Sequence, residues 1–309
     1  MITLQQLRYF RELAKTEHLT KTAEQLHITQ TSLSNTIISL ERQQGVKLFD
    51  RVGRNLRLSE AGTIYLKYVN EALCALDNAQ SAMDDYRDNA SQSVSVGTFS
   101  SSVWANALQG FRSCYQAYNI RQIHCDNAMM RSMLLDQEID FVIAGTTDFS
   151  SAGLEHRIIR TEQLYLCVSP KHPLAGRDGI HLSELKDESF INLPASNGFR
   201  GFCDKMFQKA GIPYHTSVEC DYTMRGKLVA AGFGIAITTD MTRQQNIMGS
   251  DIVYIPIVDD FAWRPIAIFW NPRRYLGRAA VDFRDYISKT ASYTPQEKIL
   301  ESTLDQSTK

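Results

Sequence analysis

No apolar stretch of this 309-residue chain is longer than ten residues, and the longest, Leu228–Ile237, contains two glycines. A membrane-spanning helix needs about 20 apolar residues, so no span is expected. The first twenty residues carry Arg8, Arg11, Glu12, Lys15 and Glu17 where a secretory signal would have an apolar segment. The six cysteines form no C-x-x-C pair and are too scattered for a disulfide framework. Reduced thiols and a cytoplasmic location are the expectation. The seven histidines (18, 27, 124, 156, 172, 181 and 215) show no metal-ligand spacing, so neither metal nor cofactor is expected. G-x-S-x-G, H-E-x-x-H and P-loop motifs are absent. Gly232-x-Gly234 follows a helix rather than a strand, the wrong order for a dinucleotide turn, and reads as a helix end. An α/β enzyme with an accessory N-terminal module is therefore the weaker reading, and a stand-alone solute-binding protein is opposed by the lack of an export signal.

The charge that is present is unevenly spread. Residues 1–58 hold nine Lys+Arg against five Asp+Glu, while the chain as a whole has a net charge of −1. A basic head on an acidic body suits a head that meets a polyanion. Thr3 and Gln6 make a capping-box pattern before an amphipathic helix over 4–16. A shorter helix fits Thr20–Leu26. Thr29 caps a third helix that runs to about Gln44 and stops at Gly45. Leu33, Ile37 and Leu40 form its buried stripe. Gln30, Thr31, Ser34, Asn35 and Ile38 share the outward side. Helix, short turn, helix is the arrangement that places a helix in the major groove. Amides and hydroxyls there can bond base edges. Short strands at 48–51 and 56–58, turning at Gly53, make a wing on which Arg51, Arg54 and Arg57 can reach phosphates.

Ala23…Leu26-His27-Ile28-Thr29-Gln30, Leu33-Ser34…Ile37…Leu40-Glu41…Gly45-Val46-Lys47-Leu48-Phe49-Asp50-Arg51 and Leu58-Ser59-Glu60-Ala61-Gly62 together resemble the winged helix-turn-helix of LysR-type transcriptional regulators. The resemblance covers about residues 3–62. It implies DNA contacts from Gln30, Thr31, Ser34 and Asn35 and from Arg51 and Arg54. Three positions depart from the family pattern. Thr31 stands where Pro is common, Asn35 where Arg or Lys is frequent, and Thr22 where the first of two Ala is usual.

From Glu60 to Arg87 no proline occurs. Tyr65, Val69, Ala72, Leu76, Ala79, Met83 and Tyr86 recur at alternating spacings of four and three, a heptad seam suited to a partner helix. The body then alternates strands and helices. Ser93–Thr98, Ile120–Cys125 and Phe141–Gly145 read as strands around helices Val103–Tyr115 and Met129–Gln137. Leu154–Ile159 and Gln163–Ser169 read as two further strands. A second series follows: strand Phe190–Leu193, helix Phe199–Ala210, strand His215–Cys220, helix Thr223–Ala231 and strand Ile235–Thr239. Val253–Ile257, Ile266–Trp270 and a closing helix Leu276–Ser288 complete it. The expected fold class is α/β with an N-terminal winged helix-turn-helix, a long linker helix and two Rossmann-like subdomains. The expected boundaries are 1–58 for the head, 59–90 for the linker and dimerisation helix, and 91–294 for the body. Subdomain I takes 91–165 and 266–294, subdomain II takes 166–265, and 295–309 is a polar tail. Gln137–Ile143, Pro170-Lys171-His172-Pro173-Leu174 and Val229–Ala236 resemble further family segments and imply a bilobed effector domain. Thr238-Thr239 stands where many members have Leu-Pro, which makes that cleft edge more polar.

Ligands in such folds sit beyond the carboxyl ends of the strands. Ser100-Ser101-Ser102, Asn127, Thr146-Thr147, Ser196-Asn197 and Thr223 fall there, at helix starts whose free N–H groups suit an anion. Arg200 and Arg225 are candidate countercharges, while Asp126 and Asp221 could meet an amine. A small carboxylate or amino-acid-like metabolite is the expected effector. Thiol-based redox sensing through Cys203 and Cys220 is the alternative. The expected partners are double-stranded DNA at a pseudo-palindromic promoter site, the effector, a second copy of the chain as homodimer or homotetramer, and RNA polymerase, with no membrane.

Overall fold

The computed structural model describes residues 1–52, 55–87, 92–98, 101–149 and 153–290. The chain divides into two compact units, Met1–Asn89 and Ala90–Lys309.

In the first unit, α1 (Leu4–Thr16) begins with both hydrogen bonds of the Thr3/Gln6 capping box in place. It is followed by α2 (Leu19–Gln25) and by α3 (Gln30–Gln44). The Thr29 hydroxyl accepts from the Ser32 N–H at the start of α3, and Gly45, at φ 73°, ends the helix in the left-handed region. The hairpin β1 (Phe49–Val52) and β2 (Asn55–Leu58) is antiparallel. Ser59 then caps α4 (Glu60–Tyr86). Phe10, Leu13, Ala23, Leu33, Ile37, Leu40, Leu48, Phe49, Val69 and Leu73 form one core. The linker helix is thus part of this unit rather than a separate segment. Tyr65 and Val69, expected on a seam between chains, pack into the unit's own core. The reason is that α4 must cover α1 before it can offer a face elsewhere. Ile64, Tyr68, Leu76, Met83 and Tyr86 remain exposed along it.

The second unit holds two lobes built on one plan. In lobe I, β3 (Ser93–Thr98), α5 (Ser101–Cys114), β4 (Asn119–Ile123), α6 (Asn127–Leu135) and β5 (Phe141–Gly145) give parallel strands in the order β4-β3-β5. A single turn of helix, α7 (Thr146–Phe149), follows. The long strand β6 (Glu155–Val168) then leaves for lobe II. There a 3₁₀ turn at Leu182–Leu185 leads into β7 (Phe190–Asn192), α8 (Gly198–Ala210), β8 (Thr216–Glu219), α9 (Tyr222–Ala230) and β9 (Ala236–Thr239). β7 pairs in parallel with β8 and, through Phe190, with Ile235 just before β9, repeating the order of lobe I. A short α10 (Asp240–Gln244) mirrors α7. β10 (Val253–Pro256) pairs with β6, and β11 (Trp263–Trp270) returns to lobe I ahead of α11 (Arg278–Thr290).

The two strands expected at 154–159 and 163–169 are one continuous strand. Arg160-Thr161-Glu162 looks like a polar break in sequence. It stays extended because β11 pairs with it from Trp263 to Trp270, with one bulge between Ile266 and Ala267. β6 and β11 thereby link the lobes in one seven-stranded sheet, while β7 and β8 form a two-stranded sheet of their own in lobe II. Among the described residues, no helix is long and apolar enough to cross a membrane.

A methyl group added at Gly62 in the first turn of α4 would land on the Leu48 carbonyl and the Leu58 side chain. Gly62→Ala should cost about 1–3 kcal/mol, the range for overpacking a tight site. Gly201→Ala, in α8 where a methyl meets open space, should gain up to about 1 kcal/mol from helix propensity. Urea denaturation followed by circular dichroism measures both.

Candidate functional site

Two surfaces fit the sequence-derived candidates. On α3, Leu33, Ile37 and Leu40 are buried, while Gln30, Thr31, Asn35 and Ile38 are exposed on the outer side and Ser34 is half-buried beside them. The polar face is free because the apolar stripe opposite anchors the helix. Thr22, the departure from the usual Ala, is fully buried, and its hydroxyl donates to the His18 carbonyl 2.9 Å away. Arg51 is exposed on β1. Arg54 lies outside the described residues. Arg57 is committed elsewhere: its Nη1 is 2.9 Å from Glu17 Oε2, while Glu17 Oε1 accepts from the Leu58 N–H at 2.8 Å. The buried Glu41 accepts from the Leu48 and Phe49 N–H groups and from Lys47 Nζ. These two carboxylates, missed in sequence, fix the wing from both sides. Glu41 stood in the family-like segment as a signal. Glu17 gave none, because its partners are about forty residues away.

The second surface is the cleft between the lobes. It closes on a cavity of about 40 Å³. Trp104, Ile143, Ala144 and Ile266 line it from lobe I and Phe199, Tyr222, Thr239 and Thr242 from lobe II, with Glu162 and Arg264 from the strands that join them. Room for a few waters is what such a volume offers. Arg264 Nη1 lies 3.3 Å from Glu162 Oε2, and its guanidinium sits 5.2 Å from the centre of the Phe199 ring. The Thr239 hydroxyl is 3.4 Å from Glu162 Oε1. Burial pushes the Glu162 carboxyl above the usual carboxylate range, opposed by Arg264 and Arg160. Arg160 in turn holds Asp240 at 2.8 Å, and burial raises that carboxyl too. The polar cleft edge expected from Thr238-Thr239 is present at Thr239.

Among the described residues, none of the sequence-derived effector residues lies on this lining. Ser100 lies outside the described residues, as do the side chains of Ser101 and Ser102. Thr146 and Thr147 open α7, which packs against α8 beyond Ser196 and Asn197, so these two loops do converge. Asn197 accepts from the Phe199 N–H as a helix cap. Asn127 is half-buried at the start of α6 with its Oδ1 unbonded, and Thr223 is exposed in α9. Asp126 and Asp221 cap α6 and α9 by accepting from Met129 and Met224 N–H groups. Arg200 is half-buried among its own partners. Its guanidinium bonds Asp204, the Leu193 carbonyl and Thr216, and stacks on Tyr214. Arg225 is buried, and it donates to the Ile237 carbonyl while its Nε has no partner. The signal missed for Arg264 was a lone charge inside an apolar strand run, whereas Glu162 was hidden in the polar stretch Arg160–Gln163.

Residues 4–63 match the model of the bacterial regulatory helix-turn-helix proteins of the lysR family, and residues 90–292 match that of the LysR substrate binding domain. The chain belongs to the LysR family of transcriptional regulators. It is a DNA-binding regulator with an effector-binding domain, and its relatives are regulators rather than enzymes. It is 29% identical over 289 residues to the regulator YybE of Bacillus subtilis, covering 92% of this chain and 97% of that one. It is 28% identical to the dual regulator GltC of the same organism, with 92% and 96% covered. Its fold is similar to that of a full-length OxyR variant from Pseudomonas aeruginosa, with a TM-score of 0.71 at 22% identity over 94% of this chain and 95% of that one. CbnR in complex with its target DNA gives a TM-score of 0.56 at 22% identity, with 94% and 100% covered.

The thiols of this LysR protein do not favour redox sensing. Burial pushes Cys167 and Cys203 up to about 12, and raises the half-buried Cys125 and Cys220 as well. Alkylation at pH 8 should therefore modify the exposed Cys114 first and leave Cys167 and Cys203 untouched until unfolding, as read by mass spectrometry. For the cleft, Glu162→Ala should cost about 3–5 kcal/mol by removing the carboxylate opposite Arg264, and Glu162→Met with Arg264→Leu should recover most of it. A double-mutant cycle on denaturation midpoints checks this.

Proposed function

We propose that this regulator works in the cytoplasm as a homodimer, or a pair of dimers, that reads a pseudo-palindromic promoter site and acts on RNA polymerase there. The observation that carries the reading is the outer face of α3, polar and open opposite a fully buried stripe. Gln30, Thr31, Ser34 and Asn35 contact base edges, and Arg51 and Arg54 on the wing contact phosphates. The exposed Ile64, Tyr68, Leu76, Met83 and Tyr86 on α4 supply an apolar stripe for a partner helix. A twofold pair of recognition helices then sets the half-site spacing.

The effector in this reading is a small carboxylate or amino-acid-like metabolite held between the lobes. The starts of α5, α6, α8 and α9, carrying Ser100, Ser101, Ser102, Asn127, Ser196, Asn197 and Thr223, and the α7 turn with Thr146 and Thr147, frame it. Arg200 and Arg225 are the countercharges in this reading, and Arg264 on the cavity lining adds a third cation. An effector switches the protein only by binding one arrangement of the lobes or subunits better than another.

Fluorescence anisotropy on the DNA upstream of the protein's own gene tests the first part. Arg51→Ala should weaken binding to all duplexes alike and reduce the log–log salt slope by about 1, the loss of one phosphate contact. An unchanged slope would remove Arg51 from the interface. Native mass spectrometry of the protein purified from its own host tests the second part by the mass of a retained anion.

A further inference from the structure

We propose that Thr20 sets the base preference of Gln30, and so is a positioning residue for DNA reading. The proposal rests on α3 contacting base edges. Thr20 is the second residue of α2 and Gln30 the first of α3. The intervening turn, with His27 at φ 54°, brings the two side chains together on the outside of the unit. The Thr20 hydroxyl donates to Gln30 Oε1 at 3.1 Å. Thr29, between them in sequence, does not compete, because its hydroxyl caps the Ser32 N–H. Both Thr20 and Gln30 are otherwise exposed.

An exposed glutamine has several rotatable bonds and two amide orientations, and it reads a base only after both are fixed. The hydroxyl fixes them before DNA arrives. It draws Oε1 toward α2 and leaves the amide N–H₂ facing outward. A free glutamine matches adenine, using its oxygen for the N6 amino group and its nitrogen for N7. With the oxygen turned inward, the groove meets donors alone. Guanine offers two acceptors, N7 and O6, whereas cytosine offers only an amino donor. The Thr20–Gln30 pair therefore shifts a nominal adenine reader toward guanine and against cytosine.

Selection from a randomised duplex library with the full-length protein tests this without knowledge of the natural promoter. One column of the wild-type half-site should favour guanine, with cytosine depleted about tenfold, the scale of a good base contact. Gln30→Ala should flatten that column. Thr20→Val should move it toward adenine while leaving the other columns and the salt slope unchanged, and Thr20→Ser should restore the wild-type profile. A Thr20→Val motif identical to wild type overturns the proposal, as does a uniform affinity loss, which would make Thr20 a phosphate contact. If Gln30→Ala leaves the motif unchanged, the reading of Gln30 itself falls, and the proposal with it. Matching thermal melts of the variants establish that each is folded.

Discussion

Glu162 and Arg264 face each other where β6 and β11 cross between the lobes, and each lowers the cost of burying the other. A lone ion at that depth carries a desolvation cost of several kcal/mol. What places the pair is the backbone, since the two residues are directly opposite in the antiparallel register. The cleft floor is thereby a fixed dipole, and whatever binds above it must match or displace that dipole. Arg160, two residues before Glu162 on β6, is paired as well, with Asp240 at the start of α10.

The first unit uses a buried and a half-buried carboxylate, Glu41 and Glu17, for a different end. Glu41 belongs to the recognition helix but spends its oxygens on the N–H groups that open the wing. Glu17 sits between α1 and α2 and holds the strand that closes it. Helix and hairpin are thus tied by charge-assisted bonds, which are stronger than neutral ones. That tie explains the division of labour among the arginines. Arg57 completes the Glu17 anchor, and the exposed Arg51 is left for an outside anion.

Local chemistry was legible in the sequence. The Thr3/Gln6 box, the Thr29 cap, the Gly45 stop and the two faces of α3 follow from neighbours within four residues, and all stand as expected. So does the alternation of strands and helices in the body. What escaped depends on pairing across long separations. Arg160-Thr161-Glu162 reads as a break until β11, about a hundred residues later, is seen to hold it extended. Arg200 reads as a free cation until Asp204, Thr216 and the Tyr214 ring surround it. The α4 heptads fit a partner chain and the unit's own core equally well, and only packing divides Val69 from Leu76. The effector candidates were placed by strand-end topology. That rule located the convergence of α7 with α8 and the helix starts from which Phe199 and Tyr222 line the cavity, but not the Glu162–Arg264 pair, which comes from the crossing strands.

The size of the cleft bears on how any ligand acts. A cavity of about 40 Å³ is far below the roughly 300 Å³ at which small-molecule pockets begin. With α7 against α8, the lobes already make contacts that owe nothing to a ligand. Ligand entry and separation of the lobes must then be one event, and the free energy of the lost contacts is subtracted from the affinity. The strain of that movement falls on β6 and β11, where the ladder is interrupted between Ile266 and Ala267. A bulge lets a strand bend without breaking its flanking bonds. The Glu162–Arg264 pair lies just beyond it, so bending there alters the geometry of the ions that face the incoming molecule. Recognition and lobe movement are coupled through the same few residues of two strands.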